Sequence, residues 1–359
     1  MNMKHLKKAA AVSLAALAAA GMIAGCGGEK KASAPSSQPA AQTVKINFPT
    51  AGASGALYAV GAAITNMWNN NVPGVQAASQ ASAGGIANLN MVSDGEAQVS
   101  IAISSNVYQC LNGTDSFKDH PYKDLKVIAG LYMNPNQVVV TAKSGIQTLA
   151  DVKGKRFAVA SAGSSVYNES NAHFTAAGLK FPDDIQAEYI TFTDAADMLQ
   201  NGSIDGAWIM SGAPASAVTQ ALTGGAHLVD IDDQLVKELK AKYPWYASYT
   251  IKAGTYPNQD RDVHTTAVKM VMFTRGDMPE DVVYNMTKAF WEHIDEMGQA
   301  QKNLKGLKPE DAVKDIAGVP LHPGAERYYR GGVFLFRLPG EHVPAASILI
   351  MTLSVPHCW

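Results

Sequence analysis

The chain has little cysteine, no excess of charge of either sign, and no pair of metal ligands at the usual spacing. Three cysteines among 359 residues exclude a disulfide-stapled fold, and we expect no native disulfide. The 29 Lys and Arg residues nearly balance the 31 Asp and Glu residues, which leaves no basic field for nucleic acid. The nine histidines are scattered, so we expect no metal site.

Nucleotide and hydrolase motifs are also missing. Gly154 and Lys155 are followed by Arg156, where a phosphate-binding loop requires Ser or Thr, so we expect no cofactor. A serine hydrolase using Ser54 or Ser164 is the distant alternative function. Neither serine lies in the Gly-x-Ser-x-Gly pattern of a nucleophile elbow, and we therefore predict that the protein is not an enzyme.

The N-terminus has the order of a bacterial export signal. A lysine-containing start precedes an uncharged, Ala-rich stretch at residues 9–23, which is too short for a comfortable membrane span. The stretch runs into Ile-Ala-Gly-Cys, a lipoprotein cleavage box that ends at Cys26. We predict a signal peptide at residues 1–25 and a lipid on Cys26, which would hold the protein outside the cytoplasm by its lipid anchor alone. An ordinary signal peptide with an incidental cysteine is the alternative.

The composition divides the rest of the chain. Residues 26–43 are rich in Ser, Pro, Ala and Gly and predict a flexible tether. About three hundred residues follow, a length at which one core usually divides into two. We assign residues 44–135 plus 258–330 to lobe 1 and residues 136–257 to lobe 2. The composition changes abruptly at residues 331–359, which we interpret as a non-native extension.

Short apolar runs alternate with longer amphipathic segments, which predicts an α/β fold with a parallel sheet. Two parts of the chain also resemble each other in sequence. The turn before Tyr58 aligns with the turn before Tyr167, each rich in Gly, Ala and Ser, and the segment around Gly95 aligns with that around Gly202. The alignment predicts two lobes of like construction, although the pattern that α/β units generally share could also produce it.

Small polar residues follow the predicted strands, where a ligand of a parallel sheet binds. Their backbone and hydroxyl groups, together with helix N-termini, favour an anion. The alternative is that Gly and Ser merely form the turns, and Trp208 fits a core position equally well. The predicted ligand-binding residues are Gly52, Ser54, Gly55, Tyr58, Ser82, Gly84, Ser104, Asn106, Ser161, Gly163, Ser164, Ser165, Trp208, Ser211 and Pro214.

Six stretches match, in order and spacing, the blocks of one family: FPTAGASGALYAVGAAI, GIANLNMVSDGEAQVSIA, LADVKGKRFAVASAGSSVYNE, AGTYPNQDRDV, MPEDVVYNMTKAF and PLHPGAERYYR. Together they closely resemble the TAXI class of TRAP-transporter solute receptors, from about Lys45 to Arg330. After Arg330 the glutamate and short terminal helix of the family are replaced by the anomalous tail.

The resemblance implies a type II periplasmic-binding-protein fold, with two lobes joined by two crossover segments and a cleft between them. It also implies a small-molecule solute, such as glutamate or 2-oxoglutarate, and a TRAP-type membrane permease driven by an ion gradient. The predicted crossovers lie near residues 133–140 and 251–263. A receptor that serves a sensor kinase or an ATP-driven importer is the alternative within the same class.

Overall fold

The computed structural model describes residues 43–51, 56–162 and 164–331. The predicted signal peptide, the lipidated Cys26, nearly all of the tether and the tail beyond Gly331 lie outside the described residues. Four of the predicted ligand-binding residues also lie outside them: Gly52, Ser54, Gly55 and Gly163.

Within these ranges the chain alternates strands and helices, as predicted. The strands are β1 (Val44–Pro49), β2 (Val75–Gln80), β3 (Val99–Ile103), β4 (Leu125–Thr141), β5 (Arg156–Ala158), β6 (Gln186–Glu188), β7 (Gly206–Met210), β8 (Ala226–Val229), β9 (Ala247–Ile251) and β10 (Val263–Arg275). The helices are α1 (Ala56–Asn71), α2 (Gly85–Ser93), α3 (Ser104–Asn112), α4 (Ser165–Ala176), α5 (Phe192–Gln200), α6 (Ser216–Thr223), α7 (Asp233–Lys242), α8 (Glu280–Glu292), α9 (Ile294–Ala300) and α10 (Pro323–Gly331). Short 3-10 helices span Asp115–Phe117, Leu149–Val152, Lys302–Leu304 and Pro309–Asp311.

The sheet is mixed, which corrects the expectation of a parallel one. Strands β1 and β2 form a parallel pair, and the larger sheet has the order β3-β10-β4-β7-β5-β6, with β8 on β4 and β9 on β10. Strands β5, β6 and β7 are parallel to one another, as predicted, whereas β10 is antiparallel to β3, β4 and β9, and β7 is antiparallel to β4. The sequence pattern did not distinguish the two directions, because β3 of the antiparallel part and β7 of the parallel part are both buried at every residue.

Strands β4 and β10 divide the sheet into two regions. Strand β4 pairs with β10 as far as Pro135, opposite Ala267, and then pairs with β7 from Asn136, opposite Met210. We call the part built on β1 to β3 and the start of β4 the first region, and the part built on β5 to β8 and the end of β4 the second region. The predicted lobe boundaries remain a prediction.

Each region buries large aromatic side chains. In the first region, Phe48 stacks on Trp68 with 5.7 Å between ring centroids. In the second region, Trp208 packs edge-on against Phe174 at 5.5 Å. Full burial of one such side chain contributes about 1.5–3 kcal/mol. Trp208 is only 1% exposed, so the structure places it in the core, which is one of the two positions that the sequence allowed.

The aligned segments of the two regions have the same local structure. Helix α2 is followed by Gly95 and then by β3, and helix α5 is followed by Gly202 and then by β7. Both glycines have a positive φ, of 81° and 74°, a conformation that other residues adopt only at a cost. The order of helix, glycine and strand predicted for both segments is therefore confirmed. The segments are α/β units of one kind.

Candidate functional site

The first component of the candidate site is the start of α3. All five residues of β3 are buried, and α3 begins directly after Ile103 without a connecting loop. Ile103 is the N-cap residue and cannot accept a hydrogen bond through its side chain. The amide groups of the first turn, which have no partner within the helix, therefore present a partial positive charge at the end of β3.

The start of α4 is the second component. It follows the Ser-rich turn after β5, and Ser164 is its N-cap residue. The hydroxyl of Ser164 accepts a hydrogen bond from the Tyr167 amide at 3.1 Å, which fixes the entry of the chain into the helix. Ser165, Glu169 and His173 are spaced four residues apart, so they lie on one face of α4.

These two helix starts contact each other, although they belong to different regions. Ser165 Oγ donates a hydrogen bond to Asn106 Oδ1 at 2.5 Å. Ser105 Oγ donates to Glu169 Oε1 at 2.9 Å. The structure therefore brings together the strand end at Ser104 to Asn106 and the turn that ends at Ser165, two groups that the sequence predicted separately. Their contact is made by hydroxyl, amide and carboxyl groups.

Glu169 is the acidic group of the site. It is only 3% exposed, and burial raises its pKa to about 7, although hydrogen bonding from Ser105 and nearby polar groups opposes the shift. The Tyr246 hydroxyl and the Asn136 amide are the other polar groups whose hydrogen bonding lowers the pKa of Glu169. Among the described residues, Glu169 Oε2 has no hydrogen-bond partner.

A buried polar network lies behind the carboxylate. His173 Nδ1 is 2.7 Å from the Glu169 carbonyl, which can only accept, so Nδ1 carries the proton. Its Nε2, 2.7 Å from Thr266 Oγ1, therefore accepts a hydrogen bond from that hydroxyl, and Thr266 Oγ1 in turn accepts from Asn136 Nδ2. Asn136 Oδ1 in turn accepts from the Trp208 indole. Burial lowers the pKa of His173 to about 4, so the imidazole is neutral at physiological pH.

Three aromatic residues between α7 and β9 form a wall of the site. Trp245 packs against Tyr108 of α3 at 5.2 Å, and Tyr246 packs against His173 of α4 at 5.0 Å. Trp245 Nε1 is buried and has no hydrogen-bond partner within the described ranges. The sequence analysis missed this wall, and it missed Glu169. The available signals were the Tyr243-Pro-Trp-Tyr run and the acidic residue four positions after Ser165.

The loop before α2 adjoins the end of β1. Ser82 Oγ donates to Asn88 Oδ1 at 2.6 Å and accepts from the Gly84 amide at 3.1 Å. Asn88 donates to the carbonyls of Thr50 and Ile101, the latter on β3. The predicted residues Ser82 and Gly84 thus belong to a loop that is fixed to the strand ends of the first region, while their predicted ligand contacts remain untested.

The other predicted residues have varied positions. Tyr58 is half-buried in the first turn of α1, and Ser161 is exposed after β5. Ser104 is fully buried, and its hydroxyl accepts from the Lys269 amide. The carbonyl of Ser211 accepts from Gln137 Nε2 at 3.0 Å, and Pro214 is exposed. Gly212 and Ala213, between these last two, line a separate cavity rather than the contact between α3 and α4.

That separate cavity has a volume of about 410 Å³, and we call it the lysine-lined cavity. Its lysines are Lys269, Lys302, Lys305, Lys308 and Lys314. Lys269 Nζ donates to the carbonyls of Asp311 and Lys314, and Lys314 forms an ion pair with Asp311 at 2.7 Å. Lys302, Lys305, Lys308 and Lys314 are exposed, so their charges are solvated.

In the part of the chain that the structure describes, no group of three or more His, Cys, Asp or Glu residues is arranged to hold a metal ion. No helix in that part combines the length and the apolar character that crossing a bilayer requires. The one cysteine there, Cys110, is buried and free, and burial raises the pKa of its thiol to about 11.

The chain belongs to the NMT1-like family, whose profile matches residues 48–331. Its structure is similar to that of the alkanesulfonate-binding protein SsuA from Xanthomonas axonopodis pv. citri bound to MOPS, at 16% identity and a TM-score of 0.47, covering 81% of this chain and 85% of that one. For the periplasmic aliphatic sulphonate-binding protein SsuA from Escherichia coli the identity is 18%, the TM-score 0.43 and the coverage 80% and 83%. For an ancestral arginine-binding protein bound to arginine the values are 14%, 0.42, 72% and 97%.

Proposed function

We propose that the protein is an extracytoplasmic solute-binding protein that takes a small organic solute at the starts of α3 and α4 and delivers it to a membrane permease. The observation that carries the proposal is the polar contact between these two helix starts. Ser165 meets Asn106, and Ser105 meets Glu169, across two regions that only the long strands β4 and β10 join in the sheet.

The chemistry of the contact fits a small ligand with an anionic group. Two helix N-termini supply amide donors and the positive ends of their dipoles, and each is worth about 0.3–1 kcal/mol to a nearby anion. The hydroxyls of Ser105 and Ser165 can donate or accept, so they can rearrange around a solute. A carboxylate fits this position without an arginine.

The architecture also fits opening and closing. Two regions with separate cores, joined by continuous strands, can rotate about those strands while each core stays packed. In our proposal the solute enters when the regions separate, and its polar groups then replace direct contacts such as the one between Ser165 and Asn106. The closed form is the one that docks on the permease.

The finer assignment rests on the resemblance to the TAXI class. It comprises a TRAP-type permease driven by an ion gradient, a lipid anchor on Cys26, and a carboxylate or amino acid such as glutamate or 2-oxoglutarate as solute. A sensor kinase or an ATP-driven importer as partner is the alternative. A TRAP permease gene beside this one would support the first partner, and a kinase or ATPase gene would support the others.

The geometry around Ser164 supports binding rather than serine hydrolysis. The Ser164 hydroxyl is engaged as the helix cap of α4, where it accepts the Tyr167 amide. His173, on the same helix, has one ring nitrogen at the Glu169 carbonyl and the other at Thr266, so its proton position is set by the core. We therefore assign the hydroxyls of this turn to solute recognition.

A thermal-shift screen of the purified protein against organic acids and amino acids tests the proposal. A solute at one hundred times its Kd stabilises the folded state by about 2.7 kcal/mol, which raises Tm by roughly 5 °C or more in a protein of this size. We expect at least one member of the panel to produce a saturable shift of this magnitude. A flat response to the whole panel would contradict the proposed function.

A further inference from the structure

Glu169 joins the two regions through its carboxyl group. It lies on α4, in the second region, and its Oε1 accepts a hydrogen bond at 2.9 Å from the Ser105 hydroxyl of α3, in the first region. The two residues are only 3% and 2% exposed. Separation of the regions therefore breaks this hydrogen bond and brings water to a carboxyl group that is otherwise shielded from it.

Among the described residues, the groups that hydrogen-bond the Glu169 carboxyl are all uncharged. They are the hydroxyls of Ser105 and Tyr246 and the side-chain amide of Asn136, on β4. His173, one turn further along α4, is kept neutral by burial. Hydroxyl groups both donate and accept, so they suit a carboxylic acid as well as a carboxylate. They do not, however, neutralise the charge of the carboxylate.

The titratable groups on the other elements around this contact supply no positive charge either. On α3, Tyr108 packs against the wall, and Cys110 lies in the core of the first region. Tyr243 is a further phenol of the wall. Lys269, on β10, directs its ammonium group to two backbone carbonyls beside the lysine-lined cavity. Within the described ranges, Glu169 therefore has no ion-pair partner.

A carboxyl group in such surroundings favours its protonated form, because burial of an unpaired charge costs far more than burial of a hydrogen-bonded neutral group. We propose, on the basis of the proposed function, that the closed contact between α3 and α4 holds Glu169 as the carboxylic acid and that separation of the two regions releases its proton to water. The O–H bond breaks, its electron pair stays on the carboxylate, and water hydrates the charge. Opening of the protein is therefore coupled to the loss of one proton.

The direction of the pH effect follows from the two states. Burial raises the pKa of Glu169 to about 7 in the closed contact, against an ordinary value of 4.5. The closed form therefore binds more protons between these values, so acid favours the closed form and rising pH favours the open one. The ratio of open to closed protein should increase about tenfold or more between pH 5 and pH 8. The protein thus holds its solute in mildly acidic surroundings and releases it more readily as pH rises.

Calorimetric titration of the unmodified protein measures the coupled proton. The probe is the organic acid or amino acid that gives the largest Tm shift in the screen, titrated in two buffers of different ionisation enthalpy. Because solute binding closes the protein, we expect an uptake of about 0.5–1 proton per solute at pH 6 and of less than about 0.2 at pH 8. The Glu169→Gln variant should lose the uptake at pH 6, whereas the exposed control Glu238→Gln should retain it.

A thiol placed at the contact measures opening without any solute. Asn106→Cys puts the thiol beside Ser165, where a pyridyl disulfide reagent reaches it only when the regions separate. Its labelling rate is measured at pH 5 and pH 8, with Glu169 present and in the Glu169→Gln background, so that the ionisation of the thiol cancels. We expect the rate to rise about tenfold more with Glu169 than without it. Native Cys110 should label much more slowly, because region separation leaves its core packed.

Failure of the inference and failure of the proposed function are distinguishable. A proton uptake that Glu169→Gln retains, together with equal labelling in both backgrounds, would overturn the inference while the proposed function stands. An introduced thiol that labels no faster than Cys110 would also overturn it, because the contact would then open only by unfolding. If no member of the panel binds at either pH, the proposed function is wrong, and the labelling experiment still decides whether the contact is coupled to a proton.

Discussion

The starts of α3 and α4 and the lysine-lined cavity are both polar, but they differ in how far their polar groups are paired. In the cavity, Lys269 is satisfied by two backbone carbonyls, Lys314 is paired with Asp311, and most of the other charges face solvent. At the helix starts, Glu169 and Trp245 are buried and each keeps an atom without a partner among the described residues.

The comparison shows that open volume and binding capacity are separate properties. The cavity offers about 410 Å³, yet its charges are already compensated by protein or water. Exposed ion pairs of this kind contribute about 0–1 kcal/mol, so we expect their charges to add little to the affinity for a ligand. The contact between α3 and α4 is closed, but Glu169 Oε2 has no hydrogen-bond partner among the described residues. For this reason we propose that the solute binds at the contact.

The largest expected effect concerns the cost of burying the carboxylate. The carboxyl group of Glu169 has its ordinary pKa of 4.5 in the unfolded chain and a pKa of about 7 in the folded one. The native state therefore binds more protons between these values, and its stability falls as pH rises from about 4.5 to about 7. The Glu169→Gln variant lacks this contribution. Its free energy of unfolding should therefore gain about 3 kcal/mol relative to that of the wild type between pH 4 and pH 8. Urea unfolding of both proteins at the two pH values measures the gain.

His173 provides the sign control for that experiment. Its pKa falls from 6.5 to about 4 on folding, so its contribution to stability is lost as pH falls through this range. The term has the opposite sign to that of Glu169, and it is present in both proteins, so it cancels in the comparison. A difference between wild type and variant that does not change with pH would contradict the buried, unpaired state of Glu169.

A smaller effect distinguishes the contact between α3 and α4 from the lysine-lined cavity by the charge that each would tolerate. Asn106→Asp preserves shape but places a negative charge at the proposed position of the solute carboxylate, so we expect binding to weaken by about 2 kcal/mol, roughly thirtyfold. Asn112→Asp at the exposed end of the same helix is the matched control. Lys305→Ala in the lysine-lined cavity should change binding less than twofold. A thirtyfold loss with Lys305→Ala and none with Asn106→Asp would move the solute to the cavity.

The smallest effect compares a paired indole with an unpaired one in the absence of solute. Trp291 Nε1 donates to the Tyr329 hydroxyl at 2.9 Å, so Trp291→Phe should lose about 1 kcal/mol beyond the cost of the smaller ring. Trp245→Phe breaks no hydrogen bond of the described structure and should lose correspondingly less. Chemical denaturation of the two variants provides the measurement. Equal losses would indicate that Trp245 Nε1 has a partner in solution.

Several features of the site could be predicted because they depend on local sequence. The strand end at Ser104, the turn that ends at Ser165 and the glycines after α2 and α5 follow from apolar periodicity and turn chemistry. The spacing of Thr148 and Asp151 is likewise a local signal for a helix start, and the structure has a capping box there at the start of the 3-10 helix Leu149–Val152. Such signals extend over a few neighbouring residues, so they can be recognised from a single sequence.

Glu169 and the aromatic wall could not be assigned in the same way. A glutamate in the second turn of an amphipathic helix usually faces solvent, and only packing against Ser105 and Tyr246 makes this one a buried acid. Trp245 and Tyr246 follow α7, more than seventy residues after Glu169 in the chain. Their meeting depends on how β9 and β10 extend the sheet, which involves pairings over long sequence separations.

The sequence by itself determined the alternation of strands and helices, the small polar turns at the strand ends and the export-like N-terminus, since each depends on residues close together in the chain. Only the tertiary structure decided that two of these turns meet, that Trp208 is core, and that an acceptor and a donor remain unpaired beside Tyr246. The physical reason is that burial and pairing are properties of a neighbourhood in space, and residues far apart in the chain supply that neighbourhood.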